Sequence, residues 1–223
     1  MPTEIELKLR FPQQFAVQIK QLPFLKIFSS TKPIQQNLYS VYYDTPDFIL
    51  KKNRIALRLR KTDEHWTQTI KSGGTIHDGL HQHHECEYTI SGDRPDFSKL
   101  SNQKLRYFFS DRTLRQLLRP VFATDFIRTV YLLKPAKGFR LELCIDEGRI
   151  ITKRLHTDIS ESICEIELEL KSGNITQLFQ FSKALQKNSP CPLIPDNKNK
   201  AMRGYALLLQ KPGSKHQSGE SGT

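Results

Sequence analysis

The chain lacks any long apolar run. No stretch approaches the ~18 consecutive hydrophobic residues that a membrane-spanning helix needs, so no helical span is expected. The N-terminus, Met1-Pro2-Thr3-Glu4, has no basic head followed by an apolar segment, which argues against a secretory signal. Cysteine is scarce. Cys86, Cys144, Cys164 and Cys191 form no CxxC pair, which disfavours a zinc site or a disulfide framework and leaves a cytoplasmic location with reduced thiols as the default. No repeat of fixed period is visible. Ser72-Gly73-Gly74 is not a phosphate loop, because no Gly-Lys-Ser/Thr opens a helix there.

Charge is abundant and unbalanced. Over 223 residues the formal net charge is +11, which points to an anionic partner such as nucleic acid, a polyphosphate, a nucleotide or a membrane surface. Part of the excess sits in lysine-rich loops and in the tail, Lys211 to Thr223, which reads as disordered. Residues 1–210 read as one domain, long enough to bury a substantial core.

The first strand sets the theme. In Glu4-Ile5-Glu6-Leu7-Lys8-Leu9-Arg10-Phe11, charged and apolar residues alternate without a slip. An extended chain points successive side chains to opposite faces, so Glu4, Glu6, Lys8 and Arg10 share one face. Taken alone this is an edge strand with a solvated outer face. The pattern recurs, however. Arg58 and Arg60 share a face, as do Thr67, Thr69 and Lys71; His81, His83, Glu85 and Glu87; and Arg140, Glu142, Cys144 and Asp146. Late in the chain Glu165, Glu167 and Glu169 repeat the opening theme.

The remaining elements follow from periodicity and punctuation. Helices are expected at 13–21, for one turn at 47–52, at 111–118, at 176–187 and at 198–210. Strands are expected at 36–43, 54–61, 66–71, 81–90, 120–133, 139–145, 149–154 and 162–170. Many strands in series with few long helices argue for an antiparallel barrel or sandwich.

Carboxylates two residues apart lie only about 7 Å from each other along a strand face. Their repulsion raises their pKa values unless a cation intervenes. If the strands of Glu4/Glu6 and Glu165/Glu167/Glu169 face each other, they make an all-oxygen site suited to Mg²⁺ or Mn²⁺. Lys8, Arg10, Arg58, Arg60, Lys71, Arg128 and Arg140 also fall on charged faces. Buried unpaired ions cost several kcal/mol each, so a closed sheet with such an interior makes sense as a water-filled tunnel around a chain of phosphates. Arginine forks and lysines would hold the oxygens.

These residues resemble the CYTH proteins, also called triphosphate tunnel metalloenzymes. The family's Glu-x-Glu-x-Lys signature corresponds to Glu4, Glu6 and Lys8. The resemblance continues through Tyr42-Tyr43-Asp44-Thr45, Ala56-Leu57-Arg58-Leu59-Arg60, Trp66-x-x-Thr69-Ile70-Lys71 and Gly79-Leu80-His81-Gln82. It resumes at Phe122-x-Thr124-Asp125-Phe126-x-Arg128, Ile145-Asp146-x-Gly148, the Cys164–Leu170 strand and Lys200-Ala201-Met202-Arg203-Gly204-Tyr205. It implies an α+β fold, an eight-stranded antiparallel β-barrel tunnel with helices outside, and is nearest in look to bacterial inorganic triphosphatases.

By matching position, the resemblance makes Glu4, Glu6, Glu165 and Glu167 metal ligands, with Glu169 and Asp146 as further acidic candidates. Lys8, Arg58, Arg60, Lys71, Arg128, Lys200 and Arg203 would bind phosphate. Lys8 and Glu85 are the candidates for a catalytic role. The implied reaction is Mg²⁺- or Mn²⁺-dependent hydrolysis of inorganic triphosphate to pyrophosphate and phosphate, by a monomer or homodimer, with no nucleic-acid or membrane partner. Rivals on the same fold are a thiamine triphosphatase, a nucleoside triphosphatase and a class IV-type adenylate cyclase. A rival of another class is a non-catalytic polyphosphate or nucleic-acid binder. One departure stands out: His83 occupies a place where those relatives tend to carry arginine, so its help with phosphate would depend on its protonation.

Overall fold

Alternation becomes architecture. The computed structural model describes residues 3–62, 65–154 and 157–210. The opening alternation forms β1 (Thr3–Arg10). It is followed by β2 (Ile34–Asp44), β3 (Ile55–Thr62), β4 (His65–His77), β5 (Leu80–Ile90), β6 (Arg119–Ala136), β7 (Phe139–Arg154), β8 (Thr157–Ser172) and the two-residue β9 (Ile194–Pro195). The sheet order is β5-β4-β3-β2-β6-β7-β8-β1-β9, and β1 also pairs with β5. Eight antiparallel strands therefore close into a barrel, with β9 added beside β1.

The helices are α1 (Ala16–Lys20), α2 (Pro23–Phe28), α3 (Ile49–Lys52), α4 (Gln103–Phe108), α5 (Arg112–Leu117), α6 (Ile175–Asn188) and α7 (Lys200–Leu209). Most lie outside, and this explains why the alternation runs inside out. Leu7, Leu9, Leu141, Leu143, Ile145, Ile166 and Leu168 turn away from the barrel axis and are buried with Ile19, Leu25, Leu178, Phe181 and Leu185 of the covering helices. A second cluster packs Leu50, Leu57, Ile70, Leu105, Phe109 and Leu114 under α3, α4 and α5. Apolar burial thus happens between sheet and helices, and the charged parity is left facing inward.

Local caps set several boundaries. Asp111 accepts from the N–H groups of Thr113 and Leu114 at the start of α5. Asn174 and Gln177 form a reciprocal capping box on α6. Asp44 accepts from the N–H groups of Leu50 and Lys51, and Thr45 from that of Ile49, so both help to start α3.

Three expectations are corrected. α2 and α4 form where no helix was expected, each only six residues long. β4 runs on to His77 through a bulge between Ser72 and Thr75, with Gly73 and Gly74 at positive φ; the glycines bend a strand rather than end it. The strands expected at 139–145 and 149–154 are one strand. Gly148 does not break it, because a Cβ there would lie 2.4 Å from Phe126 Cα, so the residue serves close approach of two strands. The tail at 211–223 and the turn residues 63 and 64 lie outside the described residues.

Candidate active site

Strand parity builds a charged cavity of about 1210 Å³ inside the barrel. β1 contributes Glu4, Glu6 and Lys8, β3 Arg58 and Arg60, β4 Thr69 and Lys71, and β5 His81, His83, Glu85 and Glu87. β6 adds Arg128, β8 adds Glu167, Glu169 and Lys171, and α7 closes one side with Lys200. Asp146 and Glu165, each 0% exposed, do not reach the lining and sit behind Lys200. Arg203 is also behind the wall, paired to Glu165 at 3.0 Å and Glu161 at 2.7 Å.

Deep in the barrel the acids and cations are matched. Lys200 Nζ lies 2.6 Å from Asp146 and 2.9 Å from Glu167, and it also pairs with Glu165. Lys8 pairs with Glu167 and lies 3.2 Å from Glu6. Arg128 donates twice to Asp146, at 2.8 and 2.7 Å, and once to Glu167 at 2.5 Å. Burial works against the charge of Glu167, but Lys200, Lys8 and Arg128 outweigh it and hold the carboxyl well below its usual range. Burial likewise opposes the Lys8 ammonium, yet Glu167, Glu6 and Glu165 raise it well above an ordinary lysine. Burial leaves Glu165 raised, despite Lys200 and Lys8.

A second group faces the open cavity. Lys71 bridges Glu4 and Glu85, 2.9 Å from each. His83 Nε2 lies 2.6 Å from Glu4 and 3.7 Å from Glu85. Burial disfavours the imidazolium, but the two carboxylates win and raise its pKa. His84 is exposed on the opposite side, and His81 is buried with Nε2 2.7 Å from the Asp196 carbonyl. The three histidines therefore do not converge.

The opposite wall is short of acid. Arg58 hydrogen-bonds to Thr69 at 3.0 Å, has its nearest carboxylate, Glu87, at 3.7 Å, and keeps its Nε buried without a partner. Arg60 donates to Ser40 at 3.0 Å and, among the described residues, makes no ion pair. Burial, then Arg58 and Arg128, push Arg60 down to about 9.

The strands of the two glutamate series do lie side by side, but they run past each other. Glu6 is opposite Glu169, Lys8 opposite Glu167 and Arg10 opposite Glu165. That register separates Glu4 from Glu165 by six residues, roughly 20 Å at strand rise, so one ion cannot touch both. The ligating atoms gather instead into two groups, Glu4–His83–Glu85 and Asp146–Glu165–Glu167, each within 4.8 Å. Carboxylate oxygens dominate both, a donor set that fits a hard divalent cation such as Mg²⁺ or Mn²⁺. The Lys200 ammonium meets all three acids of the deeper group and the Lys71 ammonium both acids of the other; only the Glu4–His83–Glu85 group has every member on the cavity lining.

Sequence reasoning passed over Lys171, which pairs with Glu169 at 2.6 Å. Its parity with Glu165, Glu167 and Glu169 was the available signal. Glu87, the acid beside Arg58, was aligned but not singled out, and the Tyr205–Asp44 contact at 2.6 Å joins residues too far apart for any local pattern.

Comparison with known proteins bears on the family and the fold. The CYTH domain profile matches residues 2–205. An inorganic triphosphatase of Haemophilus influenzae is 35% identical over 211 residues, covering 93% of this chain and 55% of that protein. The chain thus spans about half the length of that relative. A proposed adenylyl cyclase from Hippeastrum, described as having a dominant triphosphatase activity, superposes with a TM-score of 0.66 at 18% identity, over 91% of this chain and 95% of that one. A proposed adenylate cyclase from Bacillus halodurans gives 0.56 at 21% identity, over 91% and 98%. Fold, inward charge and profile converge: the chain belongs to the CYTH domain family.

Proposed function

We propose that the protein hydrolyses inorganic triphosphate to pyrophosphate and phosphate within the barrel, with Mg²⁺ or Mn²⁺. The observation that carries this reading is the unbalanced arginine wall. Arg58 and Arg60 lie half-buried beside each other and near Arg128; Arg58 meets only Glu87, at 3.7 Å, and Arg60 makes no ion pair among the described residues. A phosphate chain would supply the missing negative charge, and guanidinium forks suit its oxygens. The name of the Haemophilus influenzae relative points to the same substrate.

The wall of β1, β5 and β8 would play the other part. Of the cavity-facing acids, Glu4 and Glu85, with Glu6 next along the same face of β1, would hold the divalent cation, which when bound neutralises phosphate charge and favours attack by water. Lys8 is held protonated by Glu167, Glu6 and Glu165, so it acts as a fixed cation rather than a base. Glu85 stays ionised, because His83, Glu4 and Lys71 more than offset its burial. In this reading it would accept a hydrogen bond from water and orient it toward the terminal phosphorus. Arg58, Arg60, Lys71, Arg128 and Lys8 then stabilise the charge that shifts to the leaving pyrophosphate. Lys200 and Arg203 hold the deep acids.

Residues 1–210 act as one domain in this proposal, since strands from both ends of the chain close the same barrel. The four cysteines are unpaired, which fits a reducing, cytoplasmic setting. No helix among the described residues is long and apolar enough to cross a membrane.

The test is phosphate release from tripolyphosphate, pyrophosphate, ATP and thiamine triphosphate with Mg²⁺, Mn²⁺ or EDTA. Metal-dependent turnover of tripolyphosphate above the others is expected. Preference for ATP or thiamine triphosphate would replace the substrate, and tight metal-independent polyanion binding without turnover would replace the enzyme by a binding module.

A further inference from the structure

The inward series of β3 does not stop at the residues matched to phosphate. Counting outward it runs Arg60, Arg58, Ala56 and then Arg54, which precedes the strand and still lines the cavity. Ala56 is the cross-strand partner of Lys71. The cations therefore follow one another along the strand as Arg60, Arg58, Lys71 and Arg54, the last exposed at the rim. Arg54 lies four residues beyond Arg58, about 13 Å at strand rise. Lys51, at the end of α3, lines the same rim.

Two features separate this rim pair from ordinary surface cations. Lys71 and Arg128 are committed to carboxylates, whereas among the described residues neither Lys51 nor Arg54 makes an ion pair. Arg54 also adopts a φ of +55°, in the left-handed region that L side chains avoid. This is a turn after a short helix, where glycine or asparagine is the easy occupant. The backbone is pinned there by Arg54 N–H donating to the Lys51 carbonyl at 3.0 Å and by Gly73 N–H donating to the Arg54 carbonyl at 3.2 Å. An arginine kept in a conformation that suits glycine directs attention to its side chain.

We propose that Arg54 and Lys51 form an outer phosphate subsite, so that the cavity takes linear polyphosphates longer than triphosphate, with the fourth phosphate at the rim. This rests on the triphosphate reading above and adds the chain length of the substrate. The rim favours further phosphate over a nucleoside. Its nearest aromatic face, Tyr205, is 5% exposed, is packed edge-on by Phe48 and has Lys51 Nζ 5.4 Å from its centre. Phe48, half-buried with its ring centre 6.0 Å from the same ammonium, stands edge-on to Tyr205 and does not line the cavity, whereas the two cations, without an ion pair among the described residues, are available to an anion.

Thermal-shift titrations with tripolyphosphate and tetrapolyphosphate, metal-free and with Mg²⁺, test this on wild type, Arg54→Gly and Lys51→Ala/Arg54→Gly. Glycine suits the positive φ, so loss of folding does not confound the comparison. Wild type is expected to bind tetrapolyphosphate about tenfold more tightly than tripolyphosphate. The double variant is expected to bring the two within about twofold, mainly by weakening tetrapolyphosphate. Equal wild-type affinities, or a preference untouched by the substitutions, would overturn the outer subsite and leave the triphosphate reading standing. Failure of wild type to bind either anion in both conditions would overturn both.

Discussion

Lys200 Nζ lies 2.6 Å from Asp146 Oδ2, and the pair is shut away from solvent at 6% and 0% exposure. The lysine comes from α7 and the aspartate from β7, so the contact fastens the C-terminal helix to the barrel. Glu165 and Glu167 share the same ammonium. Burying such a set brings little net stability against an apolar replacement, but removing one member leaves uncompensated charge.

Lys200→Met is therefore expected to destabilise the fold by about 3–5 kcal/mol at neutral pH. The sign of its pH dependence follows from the acids. Asp146 and Glu167 titrate below their ordinary values, so their stabilisation is present above those values and lost as pH falls through the folded ones. Lys200 itself is raised, so its own charge does not change on the acid side. Urea unfolding of wild type and variant at pH 7 and at about pH 3, below the ordinary carboxylate range, should show the difference narrowing at the acid pH. An equal difference at both would contradict the assignment.

Arg60 predicts an opposition between stability and binding. Its pKa is pushed down to about 9 by burial and by Arg58 and Arg128, so its charge opposes folding at neutral pH. That penalty fades only as pH rises through about 9. Arg60→Met should unfold at a higher temperature than wild type at pH 7, with the gap closing above about pH 9. The same variant should bind tripolyphosphate at least about tenfold more weakly. A variant that is less stable and binds normally would remove Arg60 from the site.

Strand β1 shows what the sequence made legible. Perfect alternation over Glu4–Phe11 revealed both its conformation and which side chains share a face. The same logic brought Arg58, Arg60, Lys71, Glu85 and Glu167 to one cavity. Alternation fixes parity and not register, so the split of the acids into two groups was invisible until β1 and β8 were paired. Asp146, Glu165 and Arg203 have the right parity or motif and still lie behind Lys200, because depth depends on how α7 packs. Strands expected to stop at 71 and 145 run on, through a bulge at Gly73–Gly74 and a close strand approach at Gly148 that local pattern does not reveal.

Tyr205 reports on the helix end of the same assembly. Its hydroxyl donates to Asp44 Oδ2 at 2.6 Å, and that carboxylate also accepts from the backbone of α3. Tyr205→Phe removes a buried hydrogen bond to a charged acceptor and should cost about 1.5–3 kcal/mol, read as a lower denaturation midpoint with an unchanged slope. A cost near zero would mean that Asp44 is satisfied by the α3 backbone alone.

The most direct test of a metal-assisted triphosphatase site inside the barrel is phosphate release from tripolyphosphate by wild type and by a Glu4→Gln/Glu6→Gln variant, each with Mn²⁺ and with EDTA. The account predicts turnover by wild type only with metal, and a loss of at least about a hundredfold in the folded variant. Equal rates in the two proteins, or turnover undiminished by EDTA, would contradict it.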